Sequence, residues 1–213
     1  MASVSTLRAA EHKALLGIKL SGDVIDLGGD KNSEYQKLFA GDFHLTVLNY
    51  APAAKPDIVH DLEKPLPMAD ASYDGALLVN VLEHIYHSRE LVSETHRILK
   101  PGGKAVIVVP FLFPVHPSPH DYWRYTDETL DRMLTEAGFV DIEVKPLGSG
   151  VFAARMLMIE RLLPAPLRFL CMVLSRTVVR ALDAIWSGLA RATGRKYRPS
   201  DYAVGYAVTA KRG

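Results

Sequence analysis

Between Pro110 and Thr126 the chain reads PFLFPVHPSPHDYWRYT, and its chemistry is densest there. Four prolines and five aromatic rings surround His116, His120, Asp121 and Arg124. Histidine titrates closest to neutrality, so His116 and His120 suit a general base that takes a proton from a hydroxyl. Asp121 can orient one of the two imidazoles, and Tyr122 or Tyr125 can line a pocket. The same residues also suit a mechanical role, with His120 to Arg124 pinning a proline-rich loop through buried hydrogen bonds. No metal is expected, because His116, His120 and Asp121 match no strong zinc spacing.

A second set of reactive residues stands at the ends of apolar runs. Val24 to Leu27 reads as a buried strand that carries Asp26 and breaks at Gly28-Gly29. A tight glycine turn lets backbone amides approach a ligand closely. Further along come Asn49, then Asp61-Leu62, then Asn80 ahead of Val81-Leu82-Glu83-His84. His84 reads either as a site residue or as one that packs at a helix start.

These residues need elements to hold them, and the periodicity supplies strands and helices in alternation. A helix is expected over residues 5–20 and another around Tyr35, Leu38 and Phe39. Strands are expected at Phe43 to Leu48, Asp57 to His60 and Tyr73 to Val79. From Ser88 to Lys100, residues Leu91, Val92, Thr95, Ile98 and Leu99 share one helical face. Pro101-Gly102-Gly103 ends that helix and leads into a strand from Ala105 to Val109. Thr126 is a good N-cap for a helix that buries Leu130, Met133, Leu134 and Ala137 and closes at Gly138. Strands follow at Phe139 to Val144 and Tyr202 to Ala210. Such alternation implies an α/β fold with a mostly parallel sheet, helices on both faces and ligand chemistry at the strands' carboxyl ends.

Four short stretches in this order, Asp26-Leu27-Gly28-Gly29, DLEKPLP from Asp61, NVLEH from Asn80 and ETHRILKPGG from Glu94, resemble class I S-adenosylmethionine-dependent methyltransferases of the type 11 kind. The likeness runs from about Val24 to Val144, with Tyr202 to Ala210 as the closing strand. It implies a Rossmann-like, seven-stranded sheet whose last strand is antiparallel, and S-adenosyl-L-methionine as cofactor. The resemblance places Asp26, Gly28 and Gly29 at the methionine part and Asn49 at the ribose. It places Asp61 and the Leu62 amide at the adenine, and Asn80 near the methionine part. Where the family has its second and third loop glycines, this chain has Asp30 and Asn32. The loop from Pro110 also resembles one in methyltransferases of bacterial glycan and cell-surface biosynthesis. The expected reaction is O-methylation of a sugar, a lipid-linked glycan or another small-molecule hydroxyl by in-line transfer, with His116, His120 and Asp121 as catalytic residues. A quinone-like or other lipid-like acceptor is the second expectation. The alternative is a catalytically inactive binding or scaffold protein on the same fold.

The 213 residues suffice for one such domain and an extension. The domain is expected over 1–149 plus 201–213, with 150–200 as an arginine-rich helical insertion. Residues 151–200 hold eight Arg and one Lys against Glu160 and Asp183, a balance of +7 in a chain whose net charge is +1. On a helix from Leu167 to Leu189, residues Leu167, Leu170, Cys171, Leu174, Val178, Leu182, Ile185 and Leu189 share a side, with arginines opposite. That pattern suits a peripheral membrane contact, or a cap or homodimer helix through 151–190. The acidic remainder, with no aromatic-basic stacking surface, speaks against a nucleic-acid partner. The single cysteine fits a reducing cytoplasm, and Met1 to Leu20 has no secretory pattern.

Overall fold

The computed structural model describes residues 5–148, 150–160, 162–164, 167 and 178–213. Seven strands form one sheet: β1 (Gly22–Leu27), β2 (Phe43–Asn49), β3 (Ile58–Val59), β4 (Tyr73–Val79), β5 (Leu99–Pro110), β6 (Phe139–Leu147) and β7 (Gly205–Arg212). Their order is β3-β2-β1-β4-β5-β7-β6. β1, β2, β3, β4 and β5 pair in parallel. β7 runs antiparallel to β6, since the Val204 amide donates to the Leu147 carbonyl at 2.9 Å while Lys211 meets Asp141 at the other end, 3.0 Å apart.

The three central strands are largely apolar because both of their faces are covered, with Asp26 in β1 the buried exception. Val24, Ile25 and Leu27, then Ala76 to Val79, then Ala105 to Val109 are all buried. The chain moves one way along the sheet from β1 to β2 and the other way from β4 to β5. Right-handed crossovers therefore put these two connections on opposite faces. The second contains α2 (Ser88–Ile98), which buries Leu91, Val92, Thr95 and Ile98. α3 (Asp127–Glu136) buries Leu130, Met133 and Leu134, and its Arg89–Glu136 ion pair at 2.7 Å joins it to α2. Thr126 caps α3 by accepting from the Thr129 amide at 3.2 Å.

Several boundaries differ from the sequence expectation. The first helix, α1 (Thr6–Leu15), stops well short of residue 20, and Gly17 beyond it takes a φ of +81°. The residues from Glu34 to Leu38 form a 3-10 turn instead of an α-helix. They follow a turn in which the Ser33 amide donates to the Asp30 carbonyl at 2.8 Å, and Ala40 is already paired with Lys19, so little room is left for α-helical turns. Pro101-Gly102-Gly103 lies inside β5, not ahead of it. Tyr73 faces Leu99 and Gly75 faces Lys104, so the extra residues bulge out, with Gly102 at a φ of +76°. Tyr202 ends a 3-10 turn, and the last strand begins only at Gly205.

The chain divides into two compact units. One comprises Leu15–Val109, Val115–Lys145 and Ala207–Gly213, and it carries most of the sheet. The other comprises Met1–Ala14, Pro110–Pro114 and Pro146–Tyr206. In the second unit, α4 (Val151–Glu160) and α5 (Arg180–Ala192) are tied by Asp183. Its carboxylate, on α5, accepts from the Phe152 and Ala153 amides at 3.0 and 3.2 Å and so caps the start of α4. A side chain at Gly150 would fall 2.3 Å from that carboxylate. Of the apolar side expected on the insertion helix, Leu170, Cys171 and Leu174 lie outside the described residues. Val178, Leu182, Ile185 and Leu189 are exposed, Ile185 by 59%. No helix among the described residues is long and apolar enough to cross a membrane.

Candidate functional site

The order of the strands reverses between β1 and β4, and in such sheets the crevice at their carboxyl ends receives the ligand. Asp26, near the end of β1, is completely buried. Its Oδ2 accepts from the Tyr35 hydroxyl at 2.7 Å and from the Gln36 amide at 2.9 Å. Its Oδ1 is buried without a hydrogen-bond partner. Burial raises the Asp26 pKa to about 6, against the pull of the two hydrogen bonds. Gly29 is required here, because a Cβ would fall 2.2 Å from the Asp26 carboxylate. Gly28 sits at a φ of +84°, and a Cβ there would meet the Val81 side chain at 2.7 Å.

Asn49, at the end of β2, holds this turn closed. Its amide group donates to the carbonyls of Gly28 and Gly29 at 2.9 and 2.8 Å, and its oxygen accepts from the Ala51 amide. Both donor hydrogens are spent on the turn. Asp30 and Asn32 form a local turn of their own, in which the Asp30 carboxylate accepts from the Asn32 amide at 2.7 Å. Asp61 is exposed and accepts from the Glu63 amide at 3.0 Å, while Leu62 is buried beside Gly28. Asn80 ends β4 in a left-handed conformation, φ +55°, with its amide on the Val108 carbonyl.

A second constellation begins three residues later. Glu83 is completely buried in the 3-10 turn Leu82–His84, and neither of its carboxylate oxygens has a hydrogen-bond partner. Nε2 of His84 lies 3.6 Å from Glu83 Oε1, and Nε2 of His116 lies 3.8 Å from it. The two imidazoles meet edge to face at 5.1 Å. Behind His116, Asp121 Oδ2 lies 3.2 Å from Nδ1 and accepts from the His116 backbone amide at 2.8 Å. Arg124 grips both oxygens of Asp121 at 2.6 and 2.8 Å, which holds that carboxyl well below the usual range.

Residues 115–126 reach this point because they hang on the turn after β4. The Tyr122 and Trp123 amides donate to the Glu83 carbonyl at 2.8 and 3.3 Å. The Trp123 indole donates to the Ile85 carbonyl at 3.1 Å, and the buried Tyr125 hydroxyl donates to the Leu82 carbonyl at 3.0 Å. The expected set of His116, His120 and Asp121 is therefore only partly assembled. His116 and Asp121 meet; the His120 ring is exposed beside Tyr122, and only its carbonyl reaches the cluster, through His84 Nδ1 at 2.5 Å. Sequence reasoning missed Glu83 as a member, together with Tyr35 and Gln36 on Asp26. An acid beside a histidine in an otherwise apolar turn was the one available signal for Glu83.

A family model described as a methyltransferase domain matches residues 6–107. The chain is 26% identical over 178 residues to a demethylmenaquinone methyltransferase of Paenarthrobacter aurescens, covering 65% of this chain and 70% of that one. It is 29% identical over 97 residues to an O-methyltransferase of Penicillium expansum, covering 40% of this chain but only 34% of that one. A solved structure of Haemonchus contortus phosphoethanolamine N-methyltransferase 2 with S-adenosyl-L-methionine superposes with a TM-score of 0.57 at 16% identity, over 99% of this chain and 54% of that one. At that identity the superposition speaks for the fold. The chain thus spans about a third to about two-thirds of its relatives' lengths. The matched residues include the Asp26–Gly29 turn, Asp61 and Glu83–His84, and over them the chain is similar to methyltransferase domains.

Proposed function

We propose that this protein transfers a methyl group from S-adenosyl-L-methionine to a hydroxyl of a small molecule, a sugar or lipid-linked glycan by preference. The observation that carries the reading is the pairing of two buried acids at neighbouring strand ends, Asp26 and Glu83. The residues fit the cofactor on two counts. Asp26 Oδ1 is a buried acceptor lacking a partner, suited to an ammonium, and Gly29 gives that carboxylate the room a Cβ would otherwise take. Gly28 and Gly29 would hold the cofactor's methionine part through their backbone, with Asn80 beside them. Asp61 and the Leu62 amide would take the adenine. Asn49 would act through the turn it closes. Once bound, the cofactor supplies an electrophilic methyl group on a sulfonium.

The chain's own task is then alignment and exclusion of water. The acceptor hydroxyl is activated at the Glu83–His84–His116 cluster, with Asp121 and Arg124 fixing the His116 ring; His120 takes no direct part. Tyr86 lies 5.3 Å from Tyr122 and 5.9 Å from Trp123, ring centre to ring centre. These exposed faces suit the flat side of a sugar ring or a quinone. The relationship to a demethylmenaquinone methyltransferase favours the quinone-like acceptor as second reading. The exposed Leu182, Ile185, Trp186 and Leu189 of α5, followed by Arg191, Arg195, Lys196 and Arg198, suit peripheral contact with an anionic membrane face. The arginine-rich residues 150–200 would thus bring the 1–149 plus 201–213 domain to a lipid-borne acceptor in the cytoplasm.

Calorimetric titration with S-adenosylmethionine and S-adenosylhomocysteine tests the core of this reading. Saturable binding that is lost in Asp61→Ala is expected; a folded protein that binds neither ligand would overturn it. Sedimentation with anionic vesicles at low and high salt tests the surface of α5, where absence of binding at low salt removes the membrane contact.

A further inference from the structure

We infer that Glu83, His84 and His116 form a binding site for a divalent transition-metal ion of the zinc type. A buried carboxylate without hydrogen bonds is costly unless a charge or a proton partner compensates it. Glu83 is such a group, completely buried and with both oxygens lacking hydrogen bonds. One ligand atom from each of Glu83, His84 and His116 lies within 4.8 Å of the others.

The second ring nitrogens decide what faces the carboxylate. His84 Nδ1 lies 2.5 Å from the His120 carbonyl, which can only accept, so Nδ1 carries the hydrogen. His116 Nδ1 lies 3.2 Å from a carboxylate oxygen of Asp121 and 3.4 Å from the Arg124 guanidinium, so Asp121 and Arg124 together fix the ring. In its neutral ring, His84 Nε2 then presents a lone pair toward Glu83. A lone pair and a carboxylate facing one another at 3.6 Å, with His116 Nε2 3.8 Å from the same oxygen, favour a positive charge between them. Arg124 directs hydrogen bonds to Asp121 and His116 Nδ1 and acts on Glu83 only through space.

Two imidazoles and one carboxylate are the donors of catalytic zinc sites and of other first-row divalent metals. Bonds of about 2.1 Å in a tetrahedral arrangement separate ligand atoms by about 3.4 Å, close to the 3.6 and 3.8 Å from Glu83 Oε1 to the two Nε2 atoms. The backing of each imidazole by a carboxylate or a carbonyl is the outer shell that such ligands require. His84 and His116 keep 14% and 24% of their side-chain surface exposed, so a further position is open to an acceptor oxygen. Metal binding stands on these ligands alone; its part in activating the acceptor rests on the methyl-transfer reading above.

The test uses the untagged full chain, stripped with chelator and titrated with Zn²⁺ and Co²⁺, with bound metal measured by mass spectrometry and by the visible bands of Co²⁺. One ion per chain is expected, with affinity at least tenfold weaker in Glu83→Gln and His84→Ala and 10–100-fold weaker in Asp121→Asn. Only trace metal on the folded wild type, or unchanged affinity in folded Glu83→Gln, overturns the proposal. If Glu83→Gln does not fold, His116→Gln at the partly exposed ligand carries the same comparison. Cofactor titration of the same samples separates the two readings: cofactor without metal sinks the cation site alone, and metal without cofactor sinks methyl transfer alone.

Discussion

The ends of β1 and β4 each bury an acid completely, yet the two acids are treated differently. At β1, one oxygen of Asp26 is held by Tyr35 and Gln36, and only the other lacks a partner. At β4, both oxygens of Glu83 lack hydrogen bonds, and two imidazoles face one of them. The first acid is fixed by local chain so that a small cation group can approach one atom. The second is framed by a distant loop and draws its compensation from whatever enters the frame. The proposed binding end and the proposed reacting end thus differ in their hydrogen bonding.

The contrast can be broken most severely at the reacting end. His116→Ala should lower turnover by about 10²–10⁴-fold while cofactor affinity stays within about twofold, read by steady-state kinetics and calorimetry. His120→Ala, by comparison, should keep turnover within about threefold, since its ring lies outside the cluster. Equal losses from both variants would return the reaction centre to the whole loop.

The next effect belongs to Asp26. Its pKa rises from 3.8 to about 6 on folding, chiefly by burial, so the folded state binds the proton more tightly. That contribution is complete below about pH 4 and is lost as pH climbs through 6, a change of about 3 kcal/mol. Urea unfolding at successive pH values should show wild type losing this amount relative to Asp26→Asn across the window. The paired carboxylates, such as Asp121, act in the opposite sense and cancel in that difference. Cofactor affinity should also weaken below about pH 6, where Asp26 becomes neutral.

Gly29→Ala sets a methyl group against the pinned Asp26 carboxylate and should weaken cofactor binding about 100-fold, or about 2.7 kcal/mol, by calorimetry. Tyr35→Phe is gentler. It removes one of the two hydrogen bonds on Asp26, should cost about 1 kcal/mol in urea unfolding, and should move the Asp26 titration upward.

Much of the frame was legible in the residues. Tyr73 to Val79 and the start of α3 at Thr126 follow from apolar runs and a capping hydroxyl, both local signals. Asp26, Gly28 and Gly29 stand together because a strand that ends in glycines can do little else. The site's other half was hidden by distance: His116 is 33 residues from Glu83, and nothing in either neighbourhood states that they meet. The link of Asn49 to the Gly28 and Gly29 carbonyls was hidden for the same reason, since it spans two strands. Tyr35 looked like one more helical position, yet its hydroxyl is committed to Asp26. The apolar stripe of Leu182, Ile185 and Leu189 was legible, and these residues are exposed, whereas what would cover them is not a local property of the sequence.

The loop of residues 115–126 hangs largely from carbonyl oxygens of Leu82, Glu83, Ile85 and Tyr86. Main-chain hooks do not depend on which side chains those four positions carry. Lineages of this protein can therefore exchange the outward-facing Val115, His120 and Tyr122 freely without the loop coming adrift. Under the proposed methyl transfer, acceptor preference is then the trait most open to change, and libraries randomised at those three positions are the economical route to new substrates.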